Sequence, residues 1–194
     1  MSHQLGLFAA SPSTVVADDE TGTIFYTPDV FGRDESERLF AALRDEIPWE
    51  SDRRWMYDRE VDVPRLVAHY AEPPFPDVLQ EIRARIEPLV HVNVERIGLN
   101  FYRDQHDSVA WHNDRIAVFG TAPTIALVSF GATRRMQLRT KPSVARKRAL
   151  SLNLEPGSLL VMQGASQLNW EHTIPKEKRA IGPRISVALR KASD

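Results

Sequence analysis

From Glu95 to the C-terminus, apolar residues recur at every second position in short runs: Ile97 to Arg103, Thr124 to Phe130, Arg135 to Thr140, Leu150 to Leu154, Ser158 to Gln163 and Arg184 to Arg190. Side chains on a strand alternate between faces, so this period selects strand over helix. Ahead of the strand region two segments carry a helical period instead. Asp34 to Ile47 places Leu39, Phe40, Leu43 and Ile47 on one face, with Asp34 as cap and Glu37 three residues on. Pro76 to Leu89 turns Val78, Leu79, Ile82 and Ile86 inward, with Pro76 suited to the first turn. Helices first and many short strands afterwards predict an α+β domain built on a jelly-roll-type barrel, with no internal repeat.

Residues 1 to about 20 mix small, polar and acidic residues around a short apolar patch, a composition that predicts a mobile tail. With 194 residues and 42% hydrophobic content, residues 21–194 fit one domain with one substantial core. Cysteine is absent, which excludes disulfides, thiolate zinc sites and cysteine nucleophiles; any metal must sit on His, Asp or Glu. The formal charge of −1 excludes a purely electrostatic nucleic-acid binder and leaves only a local basic patch for that role. There is no basic n-region and no run near the roughly 18–20 apolar residues of a membrane span. The expectation is a soluble, cytoplasmic monomer.

Three features carry chemistry. His112-Asn113-Asp114 puts an imidazole and a carboxylate two positions apart, so on extended backbone both point to one face and can grip one cation. Non-haem Fe(II) oxygenases use two His and one carboxylate, and His172, after a strand-like run and preceded by Trp170, is the best second imidazole. A lone H-x-D triplet is a weak signal, and taken by itself it reads more readily as a solvated loop histidine beside an aspartate. In the last strand-like run, Ile185, Val187 and Leu189 point one way, while Arg184, Ser186, Ala188 and Arg190 share the other face. Two inward guanidinium forks about 20 Å apart at Cα suit the ends of a small dicarboxylate; two solvated arginines are the plain alternative. Asn100 and Tyr102 alternate with Leu99 and Phe101 on the strand leading to His112 and can donate to carboxylate oxygens, or simply fill a barrel.

Taken together, LNFYRDQHDSVAWHNDR (99–115), SFGATRRMQLR (129–139), GSLLVMQGASQLNWEHTIPK (157–176) and PRISVALR (183–190) resemble the AlkB family of nucleic-acid dealkylases. Order and spacing are those of its eukaryotic DNA/RNA repair branch, over roughly two-thirds of the chain from Val63-Pro64-Arg65-Leu66 onward. The resemblance implies a double-stranded β-helix in which His112, Asp114 and His172 hold Fe(II). It also implies that Asn100, Tyr102, Arg184, Arg190 and Ser186 bind 2-oxoglutarate, without fixing which arginine takes which carboxylate. The implied reaction uses O2 to oxidise an N-methyl group on a base, giving succinate and CO2 and releasing formaldehyde. Three positions depart from the family pattern. Ile116, after Arg115, stands where base-repairing members carry an acidic residue; Ser186 and Ala188 replace the usual Asn and Thr; and AHYAEPPFPD (68–77) is short for the aromatic lid of relatives.

Seven basic residues and no acidic one lie between Arg134 and Arg148: Arg134, Arg135, Arg139, Lys141, Arg146, Lys147 and Arg148. On a β-hairpin this cluster reads as a phosphate track with salt-sensitive binding, or as a solvated tip. A base must leave its stack to reach a buried metal, so aromatic platforms are expected at the mouth. His112 itself, His69, Tyr70, Phe75 and Trp111, with Arg115 beside them, are the candidates.

Gln4-Leu5-Gly6-Leu7-Phe8 resembles the Gln-Leu-x-Leu-Phe peptide by which bacterial replication and repair proteins dock on the DNA sliding clamp. That resemblance implies a bacterial host and a DNA substrate near replication; separately, the expected nucleic-acid partner is alkylated single-stranded DNA. Two readings stay open beside it. One keeps fold and cofactors but acts on RNA, a modified nucleoside or a protein; the other is a non-catalytic module that binds damage or the clamp.

Overall fold

The computed structural model describes residues 13–56, 59–114 and 123–191, of which 54–56 and 59–62 by backbone alone. Among the described residues twelve strands and three helices follow one another: β1 (Thr14–Asp19), β2 (Gly22–Thr27), α1 (Arg33–Glu46), β3 (Glu50–Met56), β4 (Arg59–Tyr70), α2 (Asp77–Val90), β5 (Arg96–Tyr102), β6 (Val109–His112), β7 (Ile125–Gly131), β8 (Arg134–Thr140), β9 (Ala149–Leu154), β10 (Leu159–Gln163), α3 (Ser166–Asn169), β11 (Trp170–Ile174) and β12 (Arg184–Arg190). They form an eight-stranded sheet, β1-β2-β10-β7-β12-β5-β4-β3, and a four-stranded one, β6-β11-β8-β9. This is the jelly-roll arrangement of two facing antiparallel sheets.

Two apolar layers hold it together. On one face of the large sheet, Ile97, Leu99, Val128, Phe130, Ile185, Val187 and Leu189 pack against Leu39 and Leu43 of α1 and Leu79, Ile82 and Ile86 of α2. The helices thus cover a single sheet face, as their 3.6-residue stripes require. On the other face, Tyr102, Ile125, Leu127, Leu160 and Met162 meet Met136, Leu138, Leu154, Trp170 and Ile174 of the small sheet. The central strands β7, β10 and β12 are therefore buried on both sides.

All six expected strands are present with ends within one residue, and β12 has the bounds read from its alternation. Some expectations need correcting. The tail does not run to residue 20, because Thr14–Asp19 pairs with Gly22–Thr27 as β1 on β2; residues 1–12 lie outside the described part. Asp34 does not cap α1 and the Asp34/Glu37 capping box is not formed: the N-cap is Gly32, and Asp34 sits in the first turn. Pro76 is itself the N-cap of α2, its carbonyl accepting from the Leu79 and Gln80 N–H groups.

Candidate metal and dicarboxylate site

The inner face of β12 and its neighbour β5 form the floor of a cavity between the two sheets. Arg184 pairs in register with Tyr102, Ser186 with Asn100, and Ala188 with Gly98. Residues opposite each other on antiparallel strands share a face. Asn100, Tyr102, Arg184, Ser186, Ala188 and Arg190 accordingly all line one cavity. The roof is the small sheet, where β11 pairs with β6 so that His172 lies opposite His112. Their rings are 4.3 Å apart, and Asp114 joins them on the wall.

The electrostatics suit a cation. Burial pushes His172 down to about 3, and the neighbouring His112 adds to the effect. His112 is lowered too, again mainly by burial. Both are then neutral at pH 7, with a lone pair to offer. His112 Nδ1 lies 2.8 Å from the Ala110 carbonyl, which makes Nδ1 the donor and leaves Nε2 for a metal. Burial alone would raise Asp114, but Arg190 and the two imidazoles outweigh it and hold the carboxyl below its ordinary range. Its Oδ1 accepts from Arg190 Nε at 3.0 Å and Nη2 at 2.6 Å. No three His, Asp or Glu side chains among the described residues close around a common point as they stand. The donor set, two neutral imidazoles and one carboxylate on one wall, nonetheless fits the ligand type of a non-haem iron centre.

The far end of the cavity suits an anion. Arg184 has no solvent exposure, and burial pushes its guanidinium down to about 10. Nη2 donates to Ser129 Oγ at 2.8 Å, while Nε and Nη1 have no hydrogen-bond partner. The Tyr102 ring lies 5.3 Å from it and its phenol pulls on the guanidinium electrostatically, but no acceptor meets Nε or Nη1 at hydrogen-bonding geometry. An unpaired buried charge is costly, so two idle N–H groups facing a cavity mark the place of an acceptor that a carboxylate fits. At the near end Arg190 reaches Asp114 across Gly98, where a Cβ would lie 2.7 Å from Nη1. Two of these partners escaped the sequence reading. Arg65 Nε donates to Asn100 Oδ1 at 2.6 Å, turning the amide, and Ser129 anchors Arg184.

The expected nucleic-acid contacts fare differently. Arg134 is no phosphate ligand: it is wholly buried, and donates to the carbonyls of Asp104, Asp107 and Pro175. Its alternation gave the signal, since Arg134 is in phase with the inward Met136 and Leu138. The hairpin itself exists as β8 and β9, but much of its charge is spoken for. Arg148 pairs with Asp19 and lies over Trp170; Lys147 donates to the Pro142 and Val144 carbonyls; Lys141 donates to that of Gln167. Arg135 is 3.9 Å from Glu177, and Arg139 pairs with Glu171. Arg146 is exposed. Trp111 is not in the cavity but outside the small sheet, with the Arg139 guanidinium 4.0 Å over its ring. Tyr70 is also misplaced as a mouth residue: it pairs with Ile97 on the helix-side face and packs against the buried Phe75. His69, opposite Gly98, lies on the cavity side. Arg115, Ile116, Gln4, Leu5, Leu7 and Phe8 lie outside the described residues.

Residues 23–190 match the sequence profile of the 2OG-Fe(II) oxygenase superfamily. Alpha-ketoglutarate-dependent dioxygenase alkB homolog 3 of Mus musculus is 33% identical over 175 residues, 80% of this chain and 61% of that protein. DNA oxidative demethylase ALKBH2 of Bos taurus is 27% identical over 184 residues, 84% of this chain and 66% of that protein. The chain thus spans less than two-thirds of the length of these curated relatives. Among solved structures, OsALKBH1 superposes with a TM-score of 0.61 at 12% identity, over 87% of this chain and 97% of that one, a likeness of fold.

Proposed function

This chain belongs to the 2OG-Fe(II) oxygenase superfamily, and from that premise we propose that it is an AlkB-type dioxygenase working with Fe(II), 2-oxoglutarate and O2, which oxidatively demethylates N-alkylated bases in nucleic acid. The observation that carries the reading is Arg184: a wholly buried guanidinium with two unpartnered N–H groups, in the same cavity as His112, His172 and Asp114. The names of the relatives, among them a DNA oxidative demethylase, support the choice of substrate.

In this reading His112, His172 and Asp114 would hold Fe(II). Arg184 takes the distal carboxylate of 2-oxoglutarate, with Ser186 and the Tyr102 hydroxyl beside it. Arg190, already next to Asp114, would take the other carboxylate, with Asn100, whose amide Arg65 turns, beside it. Bound there, Fe(II) with 2-oxoglutarate and O2 supplies a two-electron oxidation of an N-methyl C–H bond, leaving succinate and CO2. The hydroxymethyl product then breaks its N–C bond to give formaldehyde and the restored N–H. The protein's share is positioning and dryness: Ile125, Leu127, Met136, Met162 and Ile174 wall the cavity with apolar surface.

The test is a panel of methylated single-stranded DNA and RNA oligomers with Fe(II), ascorbate and 2-oxoglutarate, read by mass spectrometry. Loss of methyl groups from 1-methyladenine or 3-methylcytosine with release of formaldehyde is expected, DNA being favoured. Succinate formation with no oligomer demethylated would move the substrate to a nucleoside or protein; no succinate would leave a binding module. The Gln4, Leu5, Leu7 and Phe8 peptide further supports docking on a bacterial sliding clamp. Surface plasmon resonance of the full chain on purified clamp should show binding that Leu7→Ala with Phe8→Ala removes, and binding unaffected by that pair would refute it.

A further inference from the structure

We infer that Gln167 is a positioning residue that holds Asp114 in register with the two imidazoles. The inference rests on the metal reading above. His112 and His172 need no such help, because they face each other in the β6–β11 ladder. Asp114 lies two residues beyond the end of β6 at His112, where no strand pairing fixes it.

What fixes it is α3, the short turn that runs directly into the strand bearing His172. The Gln167 side chain is buried, at 1% exposure. Its Oε1 accepts the Asp114 backbone N–H at 2.9 Å. Its own carbonyl accepts Asn113 Nδ2 at 3.0 Å and Lys141 Nζ at 2.8 Å. Its Nε2 points at Met162 Sδ, 3.6 Å away on the cavity wall. Residues 113 and 114 are therefore tied to residue 167 twice, once through its backbone across 54 positions of sequence and once through its side chain across 53.

The second hold on Asp114 is of another kind. Arg190 binds the carboxylate itself, through Oδ1 alone, and so steers the side chain, whereas Gln167 binds the main chain and sets where that side chain starts. A ligand set of two His and one carboxylate tolerates only small errors in position, and outer partners typically change metal affinity 10–100-fold. Gln167 thus carries the coupling between the segment that supplies Asp114 and the segment that supplies His172.

The test is Mn(II) titration of the metal-free full chain by calorimetry, without turnover, on wild type, Asp114→Ala, Gln167→Met, Gln167→Glu and Phe31→Leu. Gln167→Met keeps length but removes the acceptor, and should raise the Mn(II) Kd roughly 10–100-fold. Gln167→Glu keeps an acceptor for the Asp114 N–H and should stay within roughly threefold of wild type. Phe31→Leu, on the helix side of the large sheet, lowers melting temperature without moving the Kd. Wild-type affinity in Gln167→Met, or an equal loss in Phe31→Leu, overturns the inference while leaving the metal site intact. No binding by wild type, or undiminished binding by Asp114→Ala, fails the metal reading instead.

Discussion

At the scale of single residues, the buried guanidinium of Arg184 makes the most exposed claim. Without an anion it is a wholly buried charge beside the Ser129 hydroxyl and the Tyr102 ring. Replacing it with Met removes that burden and the anion site together. Arg184→Met should keep or raise the melting temperature of the ligand-free protein while weakening 2-oxoglutarate on the order of a hundredfold, about 2–3 kcal/mol for a charge-assisted pair. Thermal melts with and without 2-oxoglutarate read both effects, and a variant still stabilised by the cosubstrate would refute the assignment. Residue-scale legibility was uneven for a physical reason. His112, Asp114, Arg184 and Arg190 announce themselves through local spacing. Arg65, Gly98 and Ser129 matter only because strand register carries them to Asn100, Arg190 and Arg184, and register is not written in any one segment.

At the scale of elements, the turn from β5 to β6 aims the strand that ends in His112. Asp107 builds it: Oδ2 accepts the Arg103 backbone N–H and Nε, both at 2.8 Å, while the Asp107 carbonyl accepts Arg134 Nη2. Burial would raise this carboxyl, but the Arg103 hydrogen bonds outweigh it and the pKa is lowered. A depressed carboxyl contributes stability above its unfolded pKa, near 3.9, and loses it as pH falls through the lower folded value. Urea melts of Asp107→Asn should therefore show a loss of roughly 1–2 kcal/mol at pH 7 that shrinks on acidification below about pH 4. A deficit constant with pH would contradict this. Arg134→Met tests the same corner from the other side. It should cost about 2–4 kcal/mol in the same melts and leave the salt dependence of oligonucleotide binding unchanged, whereas a phosphate ligand would lower that slope by about one. The strands that went unread are β1 to β4, β6 and β11. β6 has only four residues, and β1 mixes Val15 and Val16 with Asp18 and Asp19, so neither presents a clean period of two.

At the scale of the whole molecule, the architecture was legible because its two helical stripes and six alternating strands each demand a partner surface. The jelly roll with helices on one sheet meets all of those demands at once. What composition could not foretell is where the charge sits. The seven-residue basic run is dispersed by the fold, Arg134 inward, Arg148 onto β1, and Arg139 onto Trp111 and Glu171. The central claim is that two imidazoles and a carboxylate at one end of a cavity, and a buried arginine at the other, make a single oxidising site. Its most direct test is succinate formation in single-turnover mixtures, with the chain loaded anaerobically with Fe(II) and 2-oxoglutarate and then exposed to O2. The account predicts succinate from wild type and none from His112→Ala or Asp114→Ala; no succinate from wild type, or equal amounts from Asp114→Ala, would contradict it.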